Sequence, residues 1–240
     1  MVFNEYESLI KGLTYKHIGC ELSELQITQL CQFGELLLEW NQKFNLTRII
    51  DPQEVILKHF IDSMIISKYI QGISFADLGT GAGFPGIPLK ILRPELKIVL
   101  VDSLKKRLDF IDIVIEKLDL KGVVTVHSRA EDFGRDVRYR GYFDTVASRA
   151  VARLPILLEY ALPILKVEGL FLAAKGLQAG QELIEAQKAL KILGGISHGI
   201  EHFNLGDGAE HRAIIIIRKV KTTPSLYPRK AGLLRKNPLV

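Results

Sequence analysis

Two patterns of apolar residues divide the chain into an N-terminal part and a longer second part. From residue 22 to 44, apolar residues recur at three- and four-residue steps, which predicts an amphipathic helix. A second helix is predicted to begin at Asp51-Pro52, since proline suits a first helical position. After residue 73 short apolar runs alternate with helical segments. We expect strands at 74–78, 97–101, 123–127, 143–147, 169–174 and 212–218, with a weaker one near 196–203.

This alternation predicts an α/β fold with a doubly wound, mostly parallel sheet of seven strands. The expected organisation is an N-terminal helical segment at 1–70, an α/β domain at 71–220 and a basic C-terminal tail at 221–240. Ser103 is expected to cap the helix that follows the second strand.

The distribution of charge adds a candidate partner. The net charge is +5, yet no acidic residue follows Glu210, and eight basic residues do: Arg212, Arg218, Lys219, Lys221, Arg229, Lys230, Arg235 and Lys236. A mildly acidic body with a basic end suggests a polyanionic partner, although a solvated tail explains the composition equally well. Three prolines predict that no regular helix forms beyond residue 220: Pro224, Pro228 and Pro238.

Cysteine content and hydropathy limit the cellular location that the sequence predicts. Two cysteines, Cys20 and Cys31, are too few for a disulfide framework, and neither has metal-ligand neighbours at useful spacing. No apolar run approaches the length of a membrane span, and the first residues do not form a signal peptide. We therefore expect a cytoplasmic protein without a metal or a membrane, and nothing demands more than a monomer.

A glycine-rich turn after the first strand indicates a nucleoside cofactor. Gly79, Gly81 and Gly83 allow tight turning and close approach of a ligand. Asp102, at the end of the next strand, lies where an acidic residue meets a ribose diol. The stretch from Gly81 to Gly86 also satisfies the dinucleotide pattern G-x-G-x-x-G, so the turn alone leaves a dehydrogenase and a methyltransferase open.

Two residues favour S-adenosylmethionine. Asp77 gives the D-x-G-x-G-x-G form of methyltransferases, and its carboxylate would attract the cofactor's ammonium group while repelling a pyrophosphate. Pro85 cannot donate a backbone N–H to a phosphate. Beyond the third strand, Ala130-Glu-Asp132 offers a backbone N–H and a carboxylate to adenine. Glu131 or Asp132 could also be a helix N-terminal charge, and both roles can hold at once.

The sequence after the fourth strand lacks motifs of two methyltransferase classes, which limits the possible methyl acceptors. Ser148-Arg-Ala-Val151 replaces the Asn/Asp-Pro-Pro-aromatic sequence of enzymes that methylate exocyclic amines. Cytosine C5 chemistry needs a cysteine nucleophile, and both cysteines are far from this strand in sequence. Guanine N7 has a lone pair and no proton, so positioning suffices.

Three cations at strand ends suit a guanine O6 or an RNA phosphate: Arg129, Arg149 and Lys175. The alternative for each is a structural ion pair with Asp77, Glu131 or Asp144. His59 is interpreted as a packing or capping residue rather than a base, and the helical spacing of Trp40 and Phe44 favours the core over a base-stacking platform.

Together these stretches resemble the bacterial small-subunit ribosomal RNA guanine-N7 methyltransferases, the glucose-inhibited division protein B family. The resemblance covers nearly the whole chain in order. Its pieces are Trp40-Asn-x-x-x-Asn-Leu-Thr47, Lys58-His-Phe-x-Asp-Ser63, Asp77-Leu-Gly-Thr-Gly-Ala-Gly-Phe-Pro-Gly-Ile-Pro88, Val101-Asp-Ser103 with Lys106-Arg107, Ser128-Arg-Ala-Glu-Asp-Phe133, Ser148-Arg-Ala-Val-Ala152, Leu172-Ala-Ala-Lys-Gly176 and Tyr227-Pro-Arg-Lys-Ala-Gly232.

The resemblance implies a Rossmann-like class I methyltransferase that uses S-adenosylmethionine to methylate N7 of one guanine in 16S ribosomal RNA, free or within the small ribosomal subunit. The residues expected at the cofactor are Asp77, Gly79, Gly81, Gly83, Phe84, Asp102, Ala130, Glu131 and Arg149, and those expected to act on the methyl acceptor are Arg129, Arg149 and Lys175. Candidate RNA-binding residues in the tail are Arg229, Lys230, Arg235 and Lys236. A ribose 2′-hydroxyl or small-molecule methyltransferase and a non-catalytic RNA-binding factor remain open alternatives.

Overall fold

The computed structural model describes residues 2–206 and 210–240, without the side chains of Ala231 and Arg235. The chain forms two compact units. One comprises Met1–Tyr69 and Thr80–His127, and the other comprises Ile70–Gly79 and Ser128–Val240.

The elements are numbered in chain order. The α-helices are α1 (Glu7–Ile18), α2 (Glu24–Asn41), α3 (Pro52–Val55), α4 (Asp62–Met64), α5 (Gly86–Leu92), α6 (Lys105–Lys117), α7 (Ala130–Phe133), α8 (Leu154–Ile164), α9 (Ala179–Glu185), α10 (Gln187–Leu193) and α11 (Ala231–Lys236). The strands are β1 (Ser74–Leu78), β2 (Lys97–Asp102), β3 (Val123–His127), β4 (Phe143–Arg149), β5 (Leu165–Lys175), β6 (Gly195–Leu205) and β7 (Glu210–Lys219). Two 3-10 helices cover Val2–Tyr6 and Ile65–Tyr69.

The predicted N-terminal helices are confirmed, and local capping fixes where they begin. The Ser23 hydroxyl accepts from the Gln26 N–H while the Gln26 side chain accepts from the Ser23 N–H, which is a capping box. Asp51 caps α3 by a single bond, its carboxylate accepting from the Glu54 N–H, with Pro52 at the first helical position. Between α3 and α4 the chain makes a π-helical segment, Ile56–Ile61, which periodicity does not reveal.

An aromatic cluster forms the core of the first unit. The ring of Phe33 in α2 lies 5.6 Å from Phe60, 5.2 Å from Phe84 and 6.4 Å from Phe110, measured between centroids. Directly after Phe33, Gly34 lets the N-terminal 3-10 helix approach, because a Cβ built there would lie 2.6 Å from the ring of Phe3. The 3-10 helix Val2–Tyr6 therefore packs closely against α2, with the Phe3 ring over Gly34.

The described strands form a seven-stranded sheet in the order β3-β2-β1-β4-β5-β7-β6, which confirms the predicted fold class. In the second unit β4 runs parallel to both β1 and β5, whereas β7 is antiparallel to β5 and β6. In the first unit β2 and β3 are parallel. The carboxyl ends of β1, β4 and β5 therefore lie along one edge, where ligands of open α/β sheets bind.

Two local predictions are wrong. The N-cap of α6 is Leu104 rather than Ser103, because the backbone is still extended at Leu104, in a turn where the Asp102 carboxylate accepts from the Leu104 N–H. Beyond residue 220 a six-residue helix, α11, does form. The prolines bound it without entering it, since Pro228 precedes its start and Pro238 follows its end.

The C-terminal segment, residues 221–240, is attached to the second unit mainly through its backbone. Arg140 donates to the carbonyls of Thr223, Pro224 and Tyr227, at 2.8–3.0 Å. Arg135 donates to the carbonyl of Pro228 at 2.8 Å. Both arginines lie in the stretch between α7 and β4, so the basic segment is itself held by cations.

Candidate active site

The glycine turn has the backbone that its sequence predicts. Gly79, Gly81 and Gly83 all have positive φ, at 74°, 61° and 94°, a conformation that side chains with a Cβ rarely adopt. At Gly81, apart from its two chain neighbours, no atom of the described residues lies within 4 Å of the Cβ position, so the turn is open there. Within the turn, the N–H groups of Gly83 and Phe84 donate to the Thr80 carbonyl at 3.0 and 2.8 Å, which fixes its shape.

Asp102 holds this turn from the end of β2. Its side chain is 4 % exposed. One carboxylate oxygen accepts from the Gly81 N–H at 2.9 Å, and the other accepts from the Leu104 N–H at 2.9 Å. Arg107 approaches the first of these oxygens at 3.5 Å. The carboxylate thus connects the glycine turn to the start of α6, in addition to any role toward a ligand.

Phe84, at the end of the turn, stacks on a histidine from the helical segment. The rings of Phe84 and His59 lie 4.5 Å apart with 22° between their planes. His59 Nε2 and the Thr47 hydroxyl share a hydrogen bond of 2.8 Å. The interpretation of His59 as a packing residue therefore stands, but its contact is with a candidate cofactor residue. The Lys58-His-Phe stretch marks His59 in the sequence as a candidate for a role near the cofactor. The structure adds that this stretch is π-helical, a backbone that is common at functional sites.

In the second unit, Asp77 and Gly79 lie at the end of β1. Asp77 is fully buried and pairs in register with Ala147 of β4. A Cβ at Gly79 would lie 2.5 Å from a methyl carbon of Val151. Glycine is therefore required at this position by both its φ angle and its neighbour.

Arg149 and Lys175 end two adjacent parallel strands. Arg149, the last residue of β4, pairs in register with Ala174, so Lys175 follows one position later on β5. The chain turns immediately after Arg149, where Ala150 has a φ of 57°. The fold thus brings the backbones of both cations to the edge that the sequence predicted.

Lys175 has a different acidic partner from those that the sequence suggested. Its ammonium donates to Glu182 at 2.7 Å and to the Ala152 carbonyl at 2.7 Å, and its side chain is only 10 % exposed. Glu182 comes from α9, directly after β5, and also accepts from the Leu154 N–H. Asp144, one of the predicted partners, pairs with Lys166 instead.

Arg129, Ala130 and Glu131 occupy the start of α7, after β3. Arg129 is the N-cap residue and its side chain is exposed. Ala130 is partly exposed and Glu131 is buried, at 8 % exposure. The prediction that Glu131 or Asp132 stands in a first helical turn is confirmed, and the adenine contact remains a prediction.

The four candidate RNA-binding residues of the C-terminal segment are not equivalent. Arg229 forms an ion pair with Glu159 of α8, a residue with no exposed surface, and Arg229 itself is 13 % exposed. Lys230 and Lys236 are exposed. The side chain of Arg235 lies outside the described residues.

Both cysteine thiols are held in the neutral form by their surroundings. Burial raises the pKa of the Cys31 thiol to about 11, with Glu7 and Glu35 adding to the effect, and burial also raises the pKa of Cys20. Within residues 2–206 and 210–240 no group of three metal-ligating side chains occurs. Over the same ranges no helix has the length and apolarity to cross a bilayer.

Comparison with known proteins identifies the family. Residues 26–214 match the family model GidB, rRNA small subunit methyltransferase G. The chain belongs to this family. The proposed resemblance is thereby confirmed, and with it the class of enzyme, a methyltransferase, and its cofactor, S-adenosylmethionine.

Relatives of the family match the chain over nearly its whole length. Ribosomal RNA small subunit methyltransferase G of Desulfitobacterium hafniense is 57 % identical over 236 residues, which cover 98 % of this chain and 99 % of that protein. The protein of the same name from Acetivibrio thermocellus is 51 % identical, covering 96 % and 95 %.

Solved structures agree on the fold. A SAM-dependent methyltransferase from Aquifex aeolicus superposes with a TM-score of 0.54 at 16 % identity, over 75 % of this chain and 98 % of that one. A SAM-dependent O-methyltransferase from Thermotoga maritima gives 0.53 at 16 % identity, over 77 % and 71 %. At such identities the likeness concerns the fold alone.

Proposed function

We propose that the protein transfers the methyl group of S-adenosylmethionine to N7 of one guanine in 16S ribosomal RNA, without a general base. Family membership supports ribosomal RNA as the substrate. The choice of N7 as acceptor atom rests on the chemistry of the cysteines and of Lys175.

The glycine turn and Asp102 suit the nucleoside part of S-adenosylmethionine. The open side of the turn at Gly81 leaves room for a ligand that a Cβ would obstruct, and the buried Asp102 carboxylate suits a ribose diol. We propose Asp77 for the cofactor's ammonium group, Phe84 for an apolar contact and Ala130 with Glu131 for adenine, with Gly79, Gly83 and Arg149 completing the set. When bound, the cofactor supplies a methyl group on a sulfonium centre.

The cysteines argue against attack on a pyrimidine ring. Such chemistry needs a thiolate, and raised thiol pKa values leave Cys20 and Cys31 protonated near neutral pH. Cys31 is also buried and donates to the Phe3 carbonyl. A C5 methyltransferase mechanism is therefore disfavoured.

The surroundings of Lys175 favour guanine N7 over a ribose hydroxyl as the methyl acceptor. A 2′-hydroxyl must lose its proton, which requires a basic group. The Lys175 ammonium donates to both Glu182 and the Ala152 carbonyl, an arrangement that favours a fixed cation over a base. Guanine N7 has no proton to lose, so fixed cations suffice to orient the base through its O6 or an adjoining phosphate, and we propose Lys175, Arg149 and Arg129 for this role.

Mapping of the product tests this proposal. Purified protein, labelled S-adenosylmethionine and small ribosomal subunits or their RNA are incubated, and methylated nucleosides are located by mass spectrometry. We expect 7-methylguanosine at one position. Label at a ribose 2′-oxygen or on small molecules alone would contradict the proposed acceptor, and failure to bind the cofactor in calorimetry would leave a non-catalytic RNA-binding factor.

Asp102 provides a test of the cofactor ligands. Replacing it with asparagine keeps the side-chain size but removes the charge that the Gly81 and Leu104 N–H groups contact, so the turn loses a charge-assisted acceptor. We expect the Kd for S-adenosylmethionine to rise by about 10- to 100-fold, measured by calorimetry. Asp109→Asn, at an exposed carboxylate on α6, is the matched control, and equal affinities in the two variants would remove Asp102 from the cofactor site.

A further inference from the structure

Two aromatic rings at the end of α2 remain partly exposed, although their spacing predicted core positions. The centroids of Trp40 and Phe44 lie 5.7 Å apart with 24° between the ring planes. The Lys43 ammonium lies 5.3 Å from the centre of Trp40, and the Lys106 ammonium lies 5.5 Å from the centre of Phe44. We call these four residues the aromatic–lysine surface.

The cations of this surface are only weakly engaged. Lys43 contacts Glu39 at 3.2 Å, but both side chains are more than half exposed, at 56 % and 59 %, and such pairs contribute little. For Lys106 the described part of the chain offers no acidic partner, only the Phe44 ring. Both ammonium groups are therefore available to an anion.

The start of α6 adds to the positive charge. Lys105, Lys106 and Arg107 fill its first turn, which contains no acidic residue. The helix dipole disfavours cations at this end, so three together cost stability. Lys105 pairs with Asp109 and Arg107 approaches Asp102, which leaves Lys106 as the cation directed to the rings.

We propose that the aromatic–lysine surface binds an unpaired segment of the RNA substrate. Flat rings stack with unpaired bases, and neighbouring ammonium groups bind the phosphates between them. An ammonium over an exposed ring is held weakly. It can therefore move to a phosphate when a base takes its place on the ring. The proposal rests on the proposed ribosomal RNA substrate and names a second place at which it binds.

The rings are held in position before any RNA arrives. Trp40 also packs on Phe110, with centroids 6.0 Å apart, and Phe110 is fully buried in the aromatic core of the first unit. One edge of the surface is thus anchored while the other meets solvent. A rigid aromatic surface loses little conformational entropy on binding, which favours recognition over incidental exposure.

Trp40 is the only tryptophan of the chain, so its fluorescence reports directly on this surface. The probe is a short, unstructured RNA of mixed sequence, titrated into the full-length protein. We expect saturable quenching of the emission. In the double variant K43Q/K106Q we expect the RNA affinity to fall by about 10-fold and the slope of log K against log salt to decrease by about 1.4, since two phosphate contacts are lost.

The matched control is K188Q/K191Q, which removes two exposed lysines of α10 and should change affinity much less. Phe44→Leu keeps apolar volume without a flat ring, and should weaken binding about 5-fold. Circular dichroism and melting curves establish that each variant is folded.

Two outcomes separate this proposal from the proposed function. If RNA is retained in a filter assay without changing Trp40 emission, and K43Q/K106Q binds like the control, the surface is not an RNA site even if guanine N7 is methylated. If the emission is quenched as expected but no ribosomal RNA is methylated, the surface stands and the proposed acceptor fails.

Discussion

The C-terminal segment and the aromatic–lysine surface use positive charge in opposite ways. In the first, Arg229 is directed inward to Glu159, a carboxylate with no exposed surface. In the second, Lys43 and Lys106 lie over partly exposed rings. From its lack of acidic residues, the sequence suggested either a polyanion-binding element or a solvated tail for the C-terminal segment, yet part of its charge is used inside the protein.

The difference teaches that net charge along a sequence and charge offered to solvent are separate quantities. Lys219, from the same acid-free stretch, is 3 % exposed and donates to the Leu165 carbonyl. Arg212 pairs with Glu210. A local excess of lysine and arginine therefore predicts a polyanion site only after the internal partners have been subtracted.

The largest effect is expected from breaking the internal pair. Arg229→Ala leaves the Glu159 carboxylate buried without its guanidinium, and we expect a loss of about 3–5 kcal/mol in the free energy of unfolding. Glu159→Ala should cost less, because Arg229 is partly exposed and can turn to solvent. Urea denaturation measures both.

Lys230→Ala is the control for that experiment, since it removes an exposed neighbouring cation. It should change stability by no more than about 0.5 kcal/mol. If Arg229→Ala and Lys230→Ala unfold at the same urea concentration, the inward role of Arg229 is wrong and the contrast between the two regions disappears.

A salt titration of RNA binding ranks the two regions as RNA sites. We compare K43Q/K106Q with K230Q/K236Q, both of which remove two exposed lysines. If both regions bind phosphates, each variant should lower the slope of log K against log salt by about 1.4, and the two losses should add. Point substitutions are preferable to deleting residues 221–240, because the deletion would also leave Glu159 unpaired.

The salt slopes of the two variants decide whether the C-terminal segment binds RNA. If the slope of log K against log salt is unchanged in K230Q/K236Q but reduced in K43Q/K106Q, RNA binding is assigned to the aromatic–lysine surface. The C-terminal segment would then have only a structural role. The reverse would restore the prediction made from charge composition.

The smallest effect concerns Lys219. Burial lowers the pKa of this lysine from 10.5 to about 8, and the charge of Arg140 contributes. The unfolded chain therefore binds an extra proton between about pH 8 and 10.5, so this residue makes stability rise with pH in that window. We expect the wild type to gain about 1 kcal/mol more than Lys219→Met between pH 7 and 9 in urea unfolding. Parallel pH profiles would show that Lys219 titrates like an exposed lysine.

Much of the fold could be predicted because its signals are local. The bounds of β1 and β3 agree with the predicted strands, and Ser23, Asp51 and Pro52 mark helix starts through their own side chains. The positive φ angles of the glycine turn also follow from residue type. Each of these features depends on a few neighbouring residues.

The remainder depends on contacts between distant residues. Helix α6 begins one residue later than predicted because Leu104 keeps an extended backbone, in a turn where the Asp102 carboxylate accepts from the Leu104 N–H. Nothing in the sequence pairs Lys175 with Glu182, or Arg229 with Glu159, since many carboxylates compete for each cation. The stacking of His59 on Phe84 likewise requires a π-helical turn that hydrophobic spacing does not encode.

Gly34 has a consequence for the evolution of this family. The ring of Phe3 fills the space that a side chain at position 34 would occupy, so a side chain there requires the ring to shift. An alanine at 34 therefore favours a smaller residue at 3, and a smaller residue at 3 leaves a void that a larger residue at 34 can fill. Positions 3 and 34 should therefore vary together among relatives, as a compensating pair separated by thirty residues of chain.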